Sequence, residues 1–263
     1  MLKATSMAGW DIPLKVWKFP CGEVGVKIES GFANGEVEVA VTLMWEGNDD
    51  LIALGQLVDA LRHAGVERIS LNIPYFPYSR QDRRCNSGEG HALKMVAAYI
   101  NSLNFSTVYT MDAHSYVLEA VVNNLRVTEQ EDCAFMLPSF DVFVAPDAGA
   151  SKKIFKLTST FEGAEVLVAD KKRDAIGRII ETRVSGGESI TGKSVCVVDD
   201  LCDGGATFVE LGKVLKKYEP ASLNLYVTHG FFTKGVEILT PFYETIYVSN
   251  LMNNAAKPHV KEI

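Results

Sequence analysis

Long apolar runs are missing from this chain, and so is any excess of positive charge. No uninterrupted hydrophobic stretch approaches the roughly 18 residues of a bilayer span. The N-terminal segment is broken by Asp11, Pro13, Lys15 and Lys18, so nothing in it reads as a secretory leader. Lys and Arg number 26 against 33 Asp and Glu, a formal charge of −7, and no basic stripe is present to neutralise a nucleic-acid backbone. Cysteine is scarce: Cys21, Cys85, Cys133, Cys196 and Cys202 are odd in number and include no C-x-x-C pair, which speaks against a disulfide framework or a thiolate metal site. These absences predict a protein of a reducing, cytoplasmic compartment that binds neither nucleic acid nor membrane. The remaining composition, 47% hydrophobic and 22% charged over 263 residues, is that of a globular chain with room for two domains.

The most informative stretch is residues 195–208. Val-Cys-Val-Val at 195–198 is an apolar run of the kind found in buried parallel strands. Two carboxylates, Asp199 and Asp200, stand where that strand is expected to end. Asp203, Gly204, Gly205, Ala206 and Thr207 follow. Residues 208–217 then have helical spacing, with Phe208, Val209, Leu211, Val214 and Leu215 apolar. A glycine-bearing turn between a strand and a helix lets backbone N–H groups converge on a phosphate. Asp199 and Asp200 can hold sugar hydroxyls at the carboxyl edge of the sheet, where open α/β folds bind ligands. An ordinary turn with acidic punctuation accounts for the acidic pair taken alone; the whole string favours the phosphate cradle.

Elsewhere the pattern alternates strand and helix. Short strands are predicted around Val24, Val26 and Ile28 and around Val37, Val39 and Val41, with a helix over 51–64 capped from Asn48, Asp49 and Asp50. Strands at 68–73 and 108–111 flank a polar loop at 78–90 and a helix over about 92–103. The second half repeats this logic, with strands at 141–145, 165–169, 195–198, 223–228 and 243–248 and a helix from about Ser151. The alternation implies parallel sheets in two similar α/β halves, residues 1–130 and 131–263.

Three more constellations sit at predicted strand ends. Residues 74–84 pack aromatics beside Arg80, Gln81, Arg83 and Arg84; guanidinium forks suit phosphate oxygens, although such a loop alone is more often solvated surface. His114 and Asp147 each follow a strand, and together they could hold magnesium against phosphate oxygens. Residues 170–174, Asp-Lys-Lys-Arg-Asp, read as a solvated turn or as part of a mobile lid that brings Lys171 and Arg173 onto phosphates.

The signature string resembles that shared by type I phosphoribosyltransferases and ribose-phosphate pyrophosphokinases, and the segments together resemble the latter family over roughly residues 16–250. The resemblance implies two phosphoribosyltransferase-type domains with parallel sheets and an active site between them. It implies diphosphate transfer from ATP to the anomeric hydroxyl of ribose 5-phosphate, with Mg2+ as cofactor. Arg80, Gln81 and His114 then match ATP-binding positions, and His114 and Asp147 magnesium-associated ones. Lys171 and Arg173 match the catalytic pair of a flexible loop, and Asp199, Asp200 and 203–207 the ribose-phosphate site. Two segments compete for the family's Phe-x-Asp/Asn-x-Glu nucleotide loop: 19–23, with Phe19 and Glu23, and 32–36, with Phe32 and Glu36. Spacing to Asn48 and Asp49 favours the first, which puts Cys21 where the family has Asp or Asn. The resemblance also implies a homodimer that assembles further, with the 19–23 loop reaching a neighbour's ATP.

The chain departs from the family pattern in three ways. The family extends further at both ends, so its first strand–helix element and last helices are expected to be shortened here. The signature has Gly204 where the family usually has Thr and Ala206 where it has Gly. Ala33 falls where many members carry an arginine used in phosphate regulation. The small residues leave room beside the 5-phosphate, which keeps open the same chemistry on a larger acceptor such as ADP-ribose, in NAD-related metabolism. Two further readings stay open: a type I phosphoribosyltransferase that consumes the activated sugar, and a catalytically silent regulatory binding subunit.

Overall fold

The structure, a computed structural model, describes residues 1–29, 37–173, 179–252 and 258–263, without the side chains of 171–173 and 179–181. Contacts divide the chain into two units, Met1–Thr128 and Glu129–Ile263.

The first unit runs β1 (Leu2–Ser6), β2 (Leu14–Lys18), β3 (Val24–Ile28), β4 (Glu38–Leu43), α1 (Asp49–His63), β5 (Arg68–Asn72), α2 (Ala92–Ser102), β6 (Thr107–Met111), α3 (Val117–Val121) and β7 (Leu125–Thr128). Its five-stranded sheet has the order β1-β4-β5-β6-β7. β4 to β7 are parallel, and β1 closes the edge antiparallel to β4. Period-two alternation sends Val39, Val41 and Leu43 of β4, and Ile69 and Leu71 of β5, into the core. Leu54, Leu57, Val58 and Leu61 of α1 meet them at helical spacing, as do Leu93, Val96, Ala97 and Ile100 of α2. Asp49 and Asp50 in the first turn of α1, and Arg62 and His63 in its last, match the helix dipole. Asn48 occupies the cap position without a side-chain cap bond. Asp50 Oδ2 instead accepts from the N–H groups of Glu46 (2.6 Å) and Gly47 (3.0 Å), fixing the turn that enters the helix.

The second unit runs α4 (Gln130–Cys133), β8 (Val142–Ala145), α5 (Ala148–Thr158), β9 (Glu165–Arg173), β10 (Ile179–Val184), β11 (Ser194–Cys202), α6 (Ala206–Leu215), β12 (Ser222–Gly230), β13 (Ile246–Leu251) and β14 (Val260–Glu262). The sheet order is β10-β9-β8-β11-β12-β13-β14, parallel except for the β9–β10 edge. Its central strands are apolar without alternation because both faces are covered. Val142, Val144, Val195, Val197, Leu223 and Leu225 feed a core with Phe208, Leu211 and Leu215 of α6. The residues between them, Phe143, Ala145, Cys196, Val198 and Tyr226, feed a second core with Ile154 and Leu157 of α5.

Two sequence boundaries need correction. The strand predicted to stop at 198 continues through Cys202, so Asp199 and Asp200 lie inside β11 and not beyond it. The charged run expected to be a turn from Asp170 continues β9 through Arg173, and β10 returns antiparallel with Thr182 opposite Lys171. Strands β1, β2, β7, β10 and β14 are additions to the predicted elements. Among the described residues no helix is long and apolar enough to cross a membrane.

Candidate functional site

In the second unit the site is built on the carboxyl end of β11. β8 accompanies β11 only from Val195 to Val197, whereas β12 pairs with it to Cys202. Residues 198–202 therefore project past β8 with one edge unpaired by strand. Asp199 is partly exposed and its Oδ1 accepts from the N–H of Asp200 at 3.0 Å. Asp200 is buried. Gln130 of α4 donates from Nε2 to the carbonyl of Asp199 at 2.9 Å, which holds the strand end in place.

The turn after β11 is short: Asp203, Gly204 and Gly205, with α6 beginning at Ala206. Gly205 is the N-cap residue at φ +74°, a conformation that side chains resist, and a Cβ there would crowd Ile238 Cδ1 at 3.1 Å. Among the described residues, none of the backbone N–H groups of 204–207 reaches a protein acceptor. Consecutive unsatisfied donors at the start of a helix form an anion cradle. Thr207 adds a hydroxyl from the first turn of α6.

Asp147 follows β8 and caps α5, accepting from Ala150 N at 3.1 Å. Part of its carboxylate thus has the bland structural job that strand-end acids often have. The backbone of Lys171 and Arg173 lies in β9; their side chains are outside the described residues.

In the first unit the 74–84 loop leaves β5. Trp45, Tyr75, Tyr78, Arg80 and Gln81 line a cleft of about 450 Å³. Tyr78 takes a left-handed backbone conformation (φ 62°), and its hydroxyl donates to Asn48 Oδ1 at 2.6 Å. Its ring meets Trp45 edge to face, the centroids 6.2 Å apart. Arg80 and Gln81 are exposed at this cleft. The loop beyond is closed by Glu89, which accepts from Cys85 N, Asn86 N and Asn86 Nδ2; the bonds from Asn86 above all hold its carboxyl below the usual range. His114 follows β6, exposed, after a buried Asp112 at φ 39°.

Phe19 and Glu23 close the β2–β3 hairpin, joined by a bond from Phe19 N to Glu23 O at 2.8 Å, and Phe19 is 45% exposed. Gln56 of α1 holds this hairpin, donating to Val24 O (2.7 Å) and accepting from Val26 N (3.0 Å), and Lys18 pairs with Asp49 at 2.6 Å. The competing segment 32–36, and Ala33 within it, lie outside the described residues.

Sequence reasoning missed Trp45 and the segment after β12. Trp45 lies two residues after β4, ahead of the helix cap at Asn48, a position that a strand-end search would have found. The segment after β12 offered no signal to that reasoning; the β11–β12 pairing and bonds to Cys202 and Asp203 bring it beside the turn.

The double-sided parallel sheet, with its glycine turn opening a helix at a strand's carboxyl end, defines a phosphoribosyltransferase-type α/β protein. Residues 137–257 match the phosphoribosyl transferase domain, and residues 9–103 the N-terminal domain of ribose phosphate pyrophosphokinase. The ribose-phosphate pyrophosphokinase of Maricaulis maris is 28% identical over 269 residues, covering 96% of this chain and 86% of that protein. That of Hyphomonas neptunium is 27% identical over 230 residues, 82% and 71% of the respective chains. The phosphoribosylpyrophosphate synthetase of Mycobacterium smegmatis has the same fold, with a TM-score of 0.83 over 98% of this chain and 87% of that one at 19% identity. The chain belongs to the ribose-phosphate pyrophosphokinase family.

Proposed function

We propose that the protein transfers the diphosphoryl group of ATP to the anomeric hydroxyl of ribose 5-phosphate, giving phosphoribosyl diphosphate and AMP. The observation that carries this reading is the 204–207 cradle, four backbone donors without a protein acceptor among the described residues, following Asp199 and Asp200 in a chain of this family. The sugar oxygen attacks the β-phosphorus, the bond from that phosphorus to the oxygen bridging the α-phosphate breaks, and AMP leaves. Such a reaction needs positioning and charge neutralisation more than covalent help from the protein.

In this reading the cradle takes the 5-phosphate and Asp199 and Asp200 the ribose hydroxyls. The Trp45–Gln81 cleft takes ATP, its aromatic walls receiving the base and Arg80 the phosphates. The Phe19–Glu23 hairpin reaches the ATP of a second copy in a homo-oligomer. His114 of the first unit and Asp147 of the second are each read as magnesium-associated positions, Asp147 offering the oxygen ligand that magnesium prefers, with phosphate and water supplying the rest. When bound, magnesium supplies charge neutralisation on the ATP oxygens. Lys171 and Arg173 stabilise the charge that builds up in transfer. A cytoplasmic location belongs to the same reading.

A second reading keeps the chemistry on a larger acceptor. From Gly204 to Ala206 the turn has no side chain beyond a methyl, but Lys234 stands over Gly204 and Ile238 over Gly205, so the reading rests on the small residues and not on open space; its acceptor is a 5-phosphate that is itself esterified, as in ADP-ribose. The test is AMP release from ATP and magnesium with ribose 5-phosphate and ADP-ribose in parallel, and mass analysis of the products. A diphosphorylated ribose 5-phosphate is the expected result. Product from ADP-ribose alone moves the assignment to the second reading, and no AMP with either acceptor leaves a silent binding subunit. Lys171→Ala should lower turnover by about 100-fold or more with ATP still bound; turnover near wild type sinks the role given to Lys171.

A further inference from the structure

The segment after β12 runs beside the phosphate cradle and is fastened to it. The carbonyl of Cys202 accepts from the N–H groups of Phe231 (2.9 Å) and Phe232 (3.2 Å). Asp203 accepts twice from Thr233: its carbonyl from the backbone N–H at 3.0 Å, its Oδ1 from the hydroxyl at 2.9 Å. A chain tied at 233 to 203 brings residue 234 alongside residue 204. That residue is Lys234, and its stem lies over the glycine. A Cβ built on Gly204 would stand 3.6 Å from Lys234 Cδ and Cε and 3.8 Å from Cγ. Nζ is one bond beyond Cε.

The turn itself supplies backbone N–H groups and the Thr207 hydroxyl, but residues 203–207 include no cationic side chain. Asp199, Asp200 and Asp203 make its surroundings acidic. Lys234 is exposed, and among the described residues it forms no ion pair. A cation delivered by a neighbouring loop whose stem runs over the turn can balance an incoming phosphate. We infer that Lys234 is a phosphate-binding residue of the acceptor site, contacting the 5-phosphoryl group of the sugar. Gly204 is its structural counterpart, since a side chain larger than a methyl there would displace the stem. This inference rests on the acceptor site proposed above. An ammonium is a point charge without fork geometry, so it serves a terminal or an esterified phosphate equally.

The test is calorimetric binding of ribose 5-phosphate and, separately, ADP-ribose to the full chain and to Lys234→Ala and Lys234→Arg, with AMP release measured in parallel. Lys234→Ala should weaken acceptor binding about 10- to 100-fold, the effect of removing a hydrogen bond to a charged group. Its binding should also respond less to salt. ATP affinity should be unchanged, and Lys234→Arg should recover most of the loss. The arm that shows the effect identifies the phosphate as terminal or esterified. A change of twofold or less in Lys234→Ala overturns the inference, even if AMP is still produced. Lysine-dependent binding without AMP release keeps it and retires the proposed reaction. Failure of the wild-type chain to bind either compound overturns both.

Discussion

Asp199 and Asp200 are adjacent in sequence but not in environment. Their residue types were legible as candidates for sugar binding, yet their setting was not. An apolar run followed by two acids reads as a strand that has ended, whereas β12 continues to pair with β11 and buries Leu201 and Cys202 beyond them. Backbone pairing, invisible to hydropathy, decides where the strand stops. The consequence is that the two carboxylates differ in how far ligand chemistry can be separated from folding. Asp199 is the accessible one, and an amide oxygen can replace Oδ1 as acceptor for Asp200 N. Asp199→Asn should therefore raise the KM for the acceptor at least about tenfold. Its melting temperature should stay within about 2 °C of wild type. A normal KM would remove Asp199 from the acceptor site, and a large drop in melting temperature would make its role structural. Cys196, on the same strand, lies fully in the core, and burial pushes its thiol well up, so it is a packing residue and not a nucleophile.

At the level of elements, strand and helix order was largely legible because apolar spacing is strong in α1, α2, α6 and the central strands. The edges were not. β9 carries charge throughout its outer half, residues 170–173, and there its pairing with β10 shows it to be a strand. Two acids at the other end of the sheet secure it. Asp141 accepts from Ser194 at 2.8 Å (N) and 2.6 Å (Oγ), tying the entry of β8 to that of β11. Glu165 accepts from Lys193 Nζ at 3.0 Å and Ser189 Oγ at 2.8 Å, tying the entry of β9 to the same approach. The Ser194 hydroxyl above all holds the Asp141 carboxyl below the usual range, and Lys193 followed by Ser189 does so for Glu165. A carboxyl lowered by folding contributes stability above its unfolded pKa of about 4, and that contribution is lost as pH falls through the folded value. Wild type should thus exceed the Asp141→Asn, Glu165→Gln double variant in urea midpoint near neutral pH, and the gap should close toward about pH 3. A gap that does not vary with pH would show that shape, and not charge, makes these latches.

For the whole molecule, contacts divide the chain into Met1–Thr128 and Glu129–Ile263, and each unit has its own strand–helix alternation. Neither half borrows its core. The first unit closes its own cluster around Val41, Leu57, Leu71 and Val96. The second closes two, on the two faces of a sheet that runs entirely within Glu129–Ile263. Units of about 130 residues with a complete sheet and a private core are large enough to be stable alone. Separately expressed fragments 1–128 and 129–263 should therefore each show helical and strand circular dichroism and a cooperative melt. The chemistry divides differently. The cleft lined by Trp45 and Gln81, and His114, belong to the first unit, while the 204–207 turn, Lys171 and Arg173 belong to the second. Fragment 129–263 should bind ribose 5-phosphate through the cradle yet release no AMP, and fragment 1–128 should bind ATP yet release none. AMP production by either fragment alone would mean that the reaction does not need residues from both units. Failure of 129–263 to fold would mean that its double-sided core depends on more than the contacts it makes with itself.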